Sequence, residues 1–174
     1  MTNLSEAKGP VSLQELEPVA KFSVRCRNAA GLSAALGFDL PANVRQRAGV
    51  DGREALCLGP DEWVLTAPEA DKAAIIEACR AAYETTPHAL VDISDREISV
   101  MIEGADAKTL LTVGCPRDLD KLAVGGGVRT LFDSAQVVLW RDAEDRFRMD
   151  VWRSFYPHVA ELLVIANAEI GATG

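Results

Sequence analysis

Two histidines, four cysteines and three close pairs of aspartates are the groups from which an active site in this chain would have to be built. His88 follows Pro87 in a loop ahead of a strand, and His158 sits in the last helix beside its apolar face. Either ring could act as a base, but a Ser–His–Asp or Cys–His site also needs a nucleophile within hydrogen-bond reach and a third group to orient the ring. Cys26, Cys57, Cys79 and Cys115 lie far apart, none forms a C-x-x-C pair, and none combines a nearby helix N-terminus with a histidine. They read as small buried residues, and zinc has no ligand framework. Ser5 and Lys8 have the spacing of a serine–lysine pair but lie in a polar stretch that offers no pre-organised pocket. The pairs Asp92/Asp95, Asp118/Asp120 and Asp142/Asp145 fall at turns, where aspartate bonds local backbone, and none matches a calcium loop. Gly125-Gly126-Gly127 runs into Val128-Arg129-Thr130, which fits neither the P-loop nor the dinucleotide pattern, and it reads as a flexible turn before a strand.

Composition narrows the remaining classes. The 174 residues are 48% hydrophobic, enough for a substantial core, and the net charge of −8 argues against nucleic acid and anionic membrane surfaces. There is no apolar run long enough to span a bilayer and no basic-then-apolar leader at the N-terminus, so the expected location is the cytoplasm, where the thiols stay reduced.

The elements that would position these groups can be followed along the chain. Residues 1–17 read as a flexible N-terminal arm, with Gly9-Pro10 as a breaker. A strand at Ala20–Cys26 alternates apolar and polar residues, and a short helix at Ala29–Leu36 is capped by Asn28 and ended by Gly37. Strands are expected at Asn43–Ala48, Arg53–Leu58 and Glu62–Thr66. Thr66-Ala67-Pro68-Glu69 then has the form of a capping box for a helix whose Ile75, Ile76, Cys79, Ala82 and Tyr83 share a face. The layout recurs: strands at Leu90–Ile93 and Glu97–Ile102, a helix over Ala105–Val113, and strands at Val128–Phe132, Gln136–Trp140 and Arg146–Trp152. A final helix, capped by Ser154, carries Phe155, Val159, Leu162, Leu163 and Ala166 on one face. The pattern predicts an α+β fold in which residues 18–174 form a single compact domain of two βαββα-type halves, at about 18–90 and 91–170. Each half would set helices on one face of an antiparallel sheet.

With chemistry sparse, the aromatic and arginine residues stand out. Trp63, Trp140 and Trp152 lie on strands, where core packing is the ordinary role. Trp and Arg are also over-represented in interface hot spots, which makes Trp63, Arg129, Arg153 and Phe155 candidates for contact with a partner. Arg141 is a further candidate of that kind. The alternative role for these arginines is an ion pair with a turn aspartate.

Four segments taken together are more specific than any one of them: Leu58-Gly-Pro-Asp-Glu-Trp-Val-Leu65, Gly114-Cys-Pro-Arg-Asp-Leu119, Arg129-Thr-Leu-Phe-Asp-Ser-Ala-Gln-Val-Val-Leu-Trp140, and Arg153-Ser-Phe155 leading into the last helix. In this order and spacing the chain resembles the gamma subunit of heterotetrameric sarcosine oxidase, over roughly residues 18–170. It departs from that pattern at Arg117, at Leu122–Gly125 and at His158. The resemblance implies a fold like that of the folate-binding aminomethyltransferases and a place in a complex that oxidises sarcosine to glycine and hydrogen peroxide, with release of formaldehyde or methylene-tetrahydrofolate. It further implies FAD, FMN and NAD on the alpha and beta subunits, zinc on the delta subunit, packing chiefly against alpha, and no catalytic or cofactor-binding residue on this chain. Two other readings remain open at this point: a stand-alone folate-binding one-carbon transfer or repair protein, and a hydrolase built on His88 or His158.

Overall fold

The computed structural model describes residues 4–173, with the side chains of Ser5 and Thr173 left out; the first three residues of the expected arm lie outside the described residues. The chain divides into two compact units. One runs from Pro18 to Ser94; the other joins the residues up to Glu17 to the chain from Asp95 onward.

The Pro18–Ser94 unit contains strand β2 (Ala20–Cys26), helix α1 (Ala29–Leu36), strands β3 (Arg47–Val50), β4 (Arg53–Gly59) and β5 (Glu62–Ala67), helix α2 (Lys72–Ala82) and strand β6 (His88–Asp92). Its antiparallel sheet has the order β3-β4-β5-β2-β6. Alternation along β2 sends Phe22, Val24 and Cys26 to the face that meets Leu32 and Leu36 of α1 and Ile75 and Cys79 of α2. Helix α1 has the expected bounds. The Asn28 side chain accepts from the Gly31 amide, and Gly37, in the left-handed region at φ 84°, donates to the Ser33 carbonyl.

The expectation at the next helix needs correction. Thr66 does not cap α2: it is buried inside β5, registered against Lys21 and Glu54, and its hydroxyl faces Glu54 at 3.4 Å. The ladder claims its backbone, and a 3-10 turn at Glu69–Asp71 leads into the helix instead. The buried stripe of α2 is also narrower than the periodicity suggests, since Ile75 and Cys79 are buried while Ile76 and Tyr83 face solvent.

The other unit contains strand β1 (Ser12–Glu15), β7 (Glu97–Glu103), helix α3 (Ala107–Thr112), β8 (Gly126–Phe132), β9 (Ala135–Arg141), β10 (Arg146–Trp152) and helix α4 (Tyr156–Thr173). The sheet order is β1-β7-β10-β9-β8, again antiparallel throughout. In both units three strands, rather than two, stand between the first helix and the second. Helix α4 starts two residues beyond Ser154, after a turn in which the Phe155 amide donates to the Trp152 carbonyl.

Residues 12–15, expected within a flexible arm, are an edge strand along β7, with Leu13 opposite Ile102 and buried. Asn167, fully buried on α4, fastens this segment: its side-chain oxygen accepts from the Val11 amide at 3.0 Å, and its side-chain nitrogen donates to the Val11 carbonyl at 2.8 Å. A Cβ on Gly9, whose φ is 146°, would meet the Asn167 carbonyl oxygen at 2.3 Å, so the chain can approach α4 there only as glycine. Replacing Asn167 with Leu leaves both Val11 backbone groups buried and unpaired, at a cost of about 1–3 kcal/mol. We expect a matching fall in urea-unfolding stability and loss of amide-exchange protection over Ser12–Glu15; unchanged protection there would show that the pairing does not depend on Asn167.

Candidate functional site

The fold brings two reactive groups side by side that lie far apart in sequence. Cys26 and His88 are directly opposed across the β2–β6 ladder, with α1 opening just beyond Cys26. Both are nonetheless engaged by backbone. The Cys26 thiol donates to the Asn28 carbonyl at 3.2 Å, and His88 Nδ1 lies 2.6 Å from the Thr86 carbonyl, with Tyr83 edge-on to the ring. His88, Cys79, Ile76, Tyr83 and Leu90 line an open groove of about 580 Å³ between α2 and β6. Burial pushes the Cys79 thiol up, and pushes up Cys57 as well, whose thiol donates to the Gly59 carbonyl. Such thiols are held as SH, which makes poor nucleophiles. Cys115 is buried and free. His158 pairs with Asp133 at 2.9 Å on the surface, and this bond, with those from Ser134, holds the Asp133 carboxyl low. The Ser5 side chain of the serine–lysine pair lies outside the described residues.

The aspartate pairs do local structural work. Asp92 binds the Lys72 ammonium at 2.8 Å and the Ser94 hydroxyl at 2.6 Å. Asp118 accepts from the Asp120 amide and pairs with Lys121, while Asp120 pairs with Lys108. Asp142 faces Arg148. Among the described residues no three His, Cys, Asp or Glu gather closely enough to hold a metal ion. Gly126 and Gly127 are buried at the start of β8 rather than forming a flexible turn, which leaves Gly125, at φ 79°, as the turn residue. No helix among the described residues is long and apolar enough to cross a membrane.

The candidate contact residues separate by environment. Trp63 is 2% exposed in the core of its unit and donates to the Pro41 carbonyl at 2.8 Å. Arg129 is half-buried, opposite Val138. Trp140 is buried; it donates to Asp150 at 2.6 Å, and the Arg148 guanidinium stacks 4.6 Å from its ring. Arg141 is buried too, donating to the Leu119 and Leu122 carbonyls. Arg153 and Phe155 are exposed, as is Trp152 just before them, over which the Arg96 guanidinium sits at 5.1 Å. Sequence pattern alone places Trp63, Trp140 and Trp152 alike on strands and does not single out Arg96. The signal that separates their burial is position: Trp152 ends its strand with Arg153-Ser154 behind it, whereas Trp63 is followed by a fully buried run.

The segments that suggest a family lie at turns of this fold. Gly59-Pro60-Asp61 closes the β4–β5 hairpin, Gly114-Cys115-Pro116 ends α3, Asp133-Ser134 closes β8–β9, and Arg153-Ser-Phe155 leads into α4. A family model described as "Sarcosine oxidase, gamma subunit family" matches residues 23–169. The chain belongs to this family. Among its members, sarcosine oxidase subunit gamma of Corynebacterium sp. (strain U-96) is 34% identical over 146 residues, covering 82% of this chain and 70% of the relative. The solved structure of heterotetrameric sarcosine oxidase from Corynebacterium sp. U-96, in complex with pyrrole 2-carboxylate, contains a chain 31% identical to this one. It superimposes with a TM-score of 0.87 over 98% of this chain and 91% of its own length. Glycine cleavage system aminomethyltransferase T from Bartonella henselae shares the fold, with a TM-score of 0.72 at 16% identity over 91% of this chain and 46% of the other.

The carboxylate contacts of this gamma-family chain give a pH test. Burial would raise the Asp92 carboxyl, but the Lys72 ammonium and the Ser94 hydroxyl and amide outweigh it and bring it down to about 2. A carboxyl lower in the folded state than in the unfolded one adds stability that is complete above the unfolded value near 3.8 and is lost as pH falls toward 2. Asp92→Asn therefore removes part of the stability at neutral pH and flattens the acid limb between about pH 4 and 2. Chemical denaturation across pH checks this; an acid limb parallel to wild type would refute it.

Proposed function

We propose that this chain is the non-catalytic gamma subunit of a heterotetrameric sarcosine oxidase, with a structural and assembly role beside a larger flavoprotein subunit. The observation that carries the reading is the likeness, over nearly the whole of both chains, to a chain of the solved heterotetramer. The local chemistry is consistent with it, because the histidines, thiols and turn carboxylates described above are occupied by packing, backbone bonds or ion pairs. In this reading the substrate chemistry, which converts sarcosine to glycine and hydrogen peroxide with a one-carbon product, takes place on other subunits. These would hold FAD, FMN, NAD and zinc, with alpha as the chief partner and the complex in the cytoplasm.

The shared strand order, in which β3-β4-β5-β2-β6 corresponds to β8-β9-β10-β7-β1, supports treating the two units as copies of one pseudo-repeated half. The stand-alone folate-binding alternative gains nothing from aminomethyltransferase T, since at 16% identity that likeness is one of fold.

Co-expression with the neighbouring subunit genes tests the proposal. A tagged chain should purify in a fixed ratio with larger subunits that carry flavin absorbance and sarcosine-dependent oxygen uptake, while the chain alone should bind no flavin and show no turnover. A chain that purifies by itself from the co-expressing cells would overturn it.

A further inference from the structure

We propose that the groove between α2 and β6 receives an extended segment of a larger subunit and grips one aliphatic residue of it through its backbone N–H and C=O; the inference rests on the subunit reading and on treating the two units as copies of one half. The other unit holds the template. Counted from their first residues, Lys72 and Tyr156, helices α2 and α4 place Ile75 with Val159, Cys79 with Leu163, Ile76 with Ala160 and Tyr83 with Asn167. The first two pairs are buried in both units. The other two positions, two helical turns apart on one face, are buried only on α4. On α2, Ile76 is 41% exposed and Tyr83 55%.

That face of α4 is covered by the chain's own residues 4–11. Leu4 and Val11 are buried in the same core as Ala160. A Cβ on Gly171 would stand 3.3 Å from the Gly9 Cα, so the segment runs close along the helix. The Asn167 amide then grips Val11, its oxygen accepting from the N–H and its nitrogen donating to the C=O. One acceptor, one donor and an apolar bed are what hold an extended residue across this helix.

The α2–β6 groove offers the same three. A carbonyl can only accept, so the contact with Thr86 puts the proton of a neutral His88 on Nδ1 and leaves Nε2 as an acceptor. Tyr83, edge-on to that ring with centroids 5.6 Å apart, brings a hydroxyl donor. Neither Nε2 nor this hydroxyl has a hydrogen bond among the described residues. Ile76, Cys79 and Leu90 form the bed.

These features select the occupant. The groove is open rather than enclosed, so it suits a length of chain better than a small ligand, which binds where most of its surface is covered. Its rim carries one charge of each sign, Arg80 and Glu84, and Arg80 pairs with Glu77, so apolar fit and backbone bonding decide rather than charge. No segment among the described residues fills it. In a second copy the matching segment, residues 4–11, is already committed to α4. The occupant therefore comes from a different chain, which in the subunit reading is the larger partner.

The test measures association of the full chain with the purified remainder of the complex. Ile76→Glu puts a charge into the bed, Tyr83→Phe removes the donor, and His88→Phe removes the acceptor but keeps a ring. Val44→Glu, at an exposed residue of the same unit outside the groove, is the control, and melting of each isolated variant verifies folding. Association should weaken at least about 30-fold for Ile76→Glu and less than about twofold for the control. Each Phe variant leaves a covered backbone group of the segment unpaired and should weaken it by about five- to 100-fold. A photoreactive benzophenone side chain placed at position 80 should cross-link the chain to one segment of a larger subunit that carries an aliphatic residue. Affinities of the three groove variants within about twofold of wild type would overturn the inference. So would weakening in Ile76→Glu alone, which would mean apolar contact without a gripped backbone, or a cross-link to a second copy of this chain or to no chain. Failure of the wild-type chain to associate at all would instead overturn the subunit reading.

Discussion

The unit built on β7 and β10 depends on a contact between the two ends of the chain. Its edge strand, β1, comes from the N-terminus and is separated by the whole Pro18–Ser94 unit from the β7 it pairs with. Closing so long a loop is entropically costly, and β1 contributes only Leu13 to the core. The double hydrogen bond between Asn167 and Val11 offsets part of that cost, because it satisfies both polar groups of a backbone residue where water is excluded. In the other unit the matching edge strand, β6, follows α2 directly and needs no such fastening. One architecture is thus completed by a local connection in one unit and by a buried amide in the other.

The same demand for satisfied polar groups accounts for the quiet chemistry. A catalytic base or nucleophile has to be left under-coordinated in its resting state so that substrate can complete its shell. Here Cys26 sits beside His88, an arrangement that could support thiolate chemistry. The thiol instead donates to a carbonyl, and the ring is turned to another. Asp92, Asp118, Asp120 and Asp142 each hold a cation or cap a turn. The polar side chains are used to close loops between strands.

Much of this was legible in the sequence where backbone sterics decide. The bounds of α1 follow from Asn28 and Gly37, and Arg146–Trp152 follows from alternation between two turns. The failures have physical causes. Strand β1 was missed because an edge strand with one buried side chain carries almost no periodicity, and its stability comes from a partner 156 residues away in sequence. The capping-box pattern at Thr66 is a local preference that lost to a sheet ladder already using that backbone. The burial of the candidate contact residues was only half legible. Composition singles out Trp and Arg, but whether a strand Trp is covered depends on which neighbours the register supplies. Trp63 has a buried strand running on behind it, while Trp152 has the chain turning away into Arg153 and Phe155.

That the family-bearing segments coincide with turns bears on what family membership means for this chain. Turns restrict residue type through backbone conformation and close packing: Asp133 adopts φ 52°, and a Cβ on Gly114 would come within 2.9 Å of the Asp133 amide nitrogen. Residues fixed for such reasons record a fold geometry, and the likeness to aminomethyltransferase T at 16% identity is of the same kind. What separates this chain from a folate enzyme of that fold must then lie where turns and core leave the residue free to vary, on exposed positions. The stacking of the exposed Arg96 on Trp152 is such a feature, since the Arg96 side chain neither closes a turn nor fills the core. Ordering Arg96 over an exposed ring costs side-chain entropy, which its stacking on Trp152 and its bond to Glu97 offset in part.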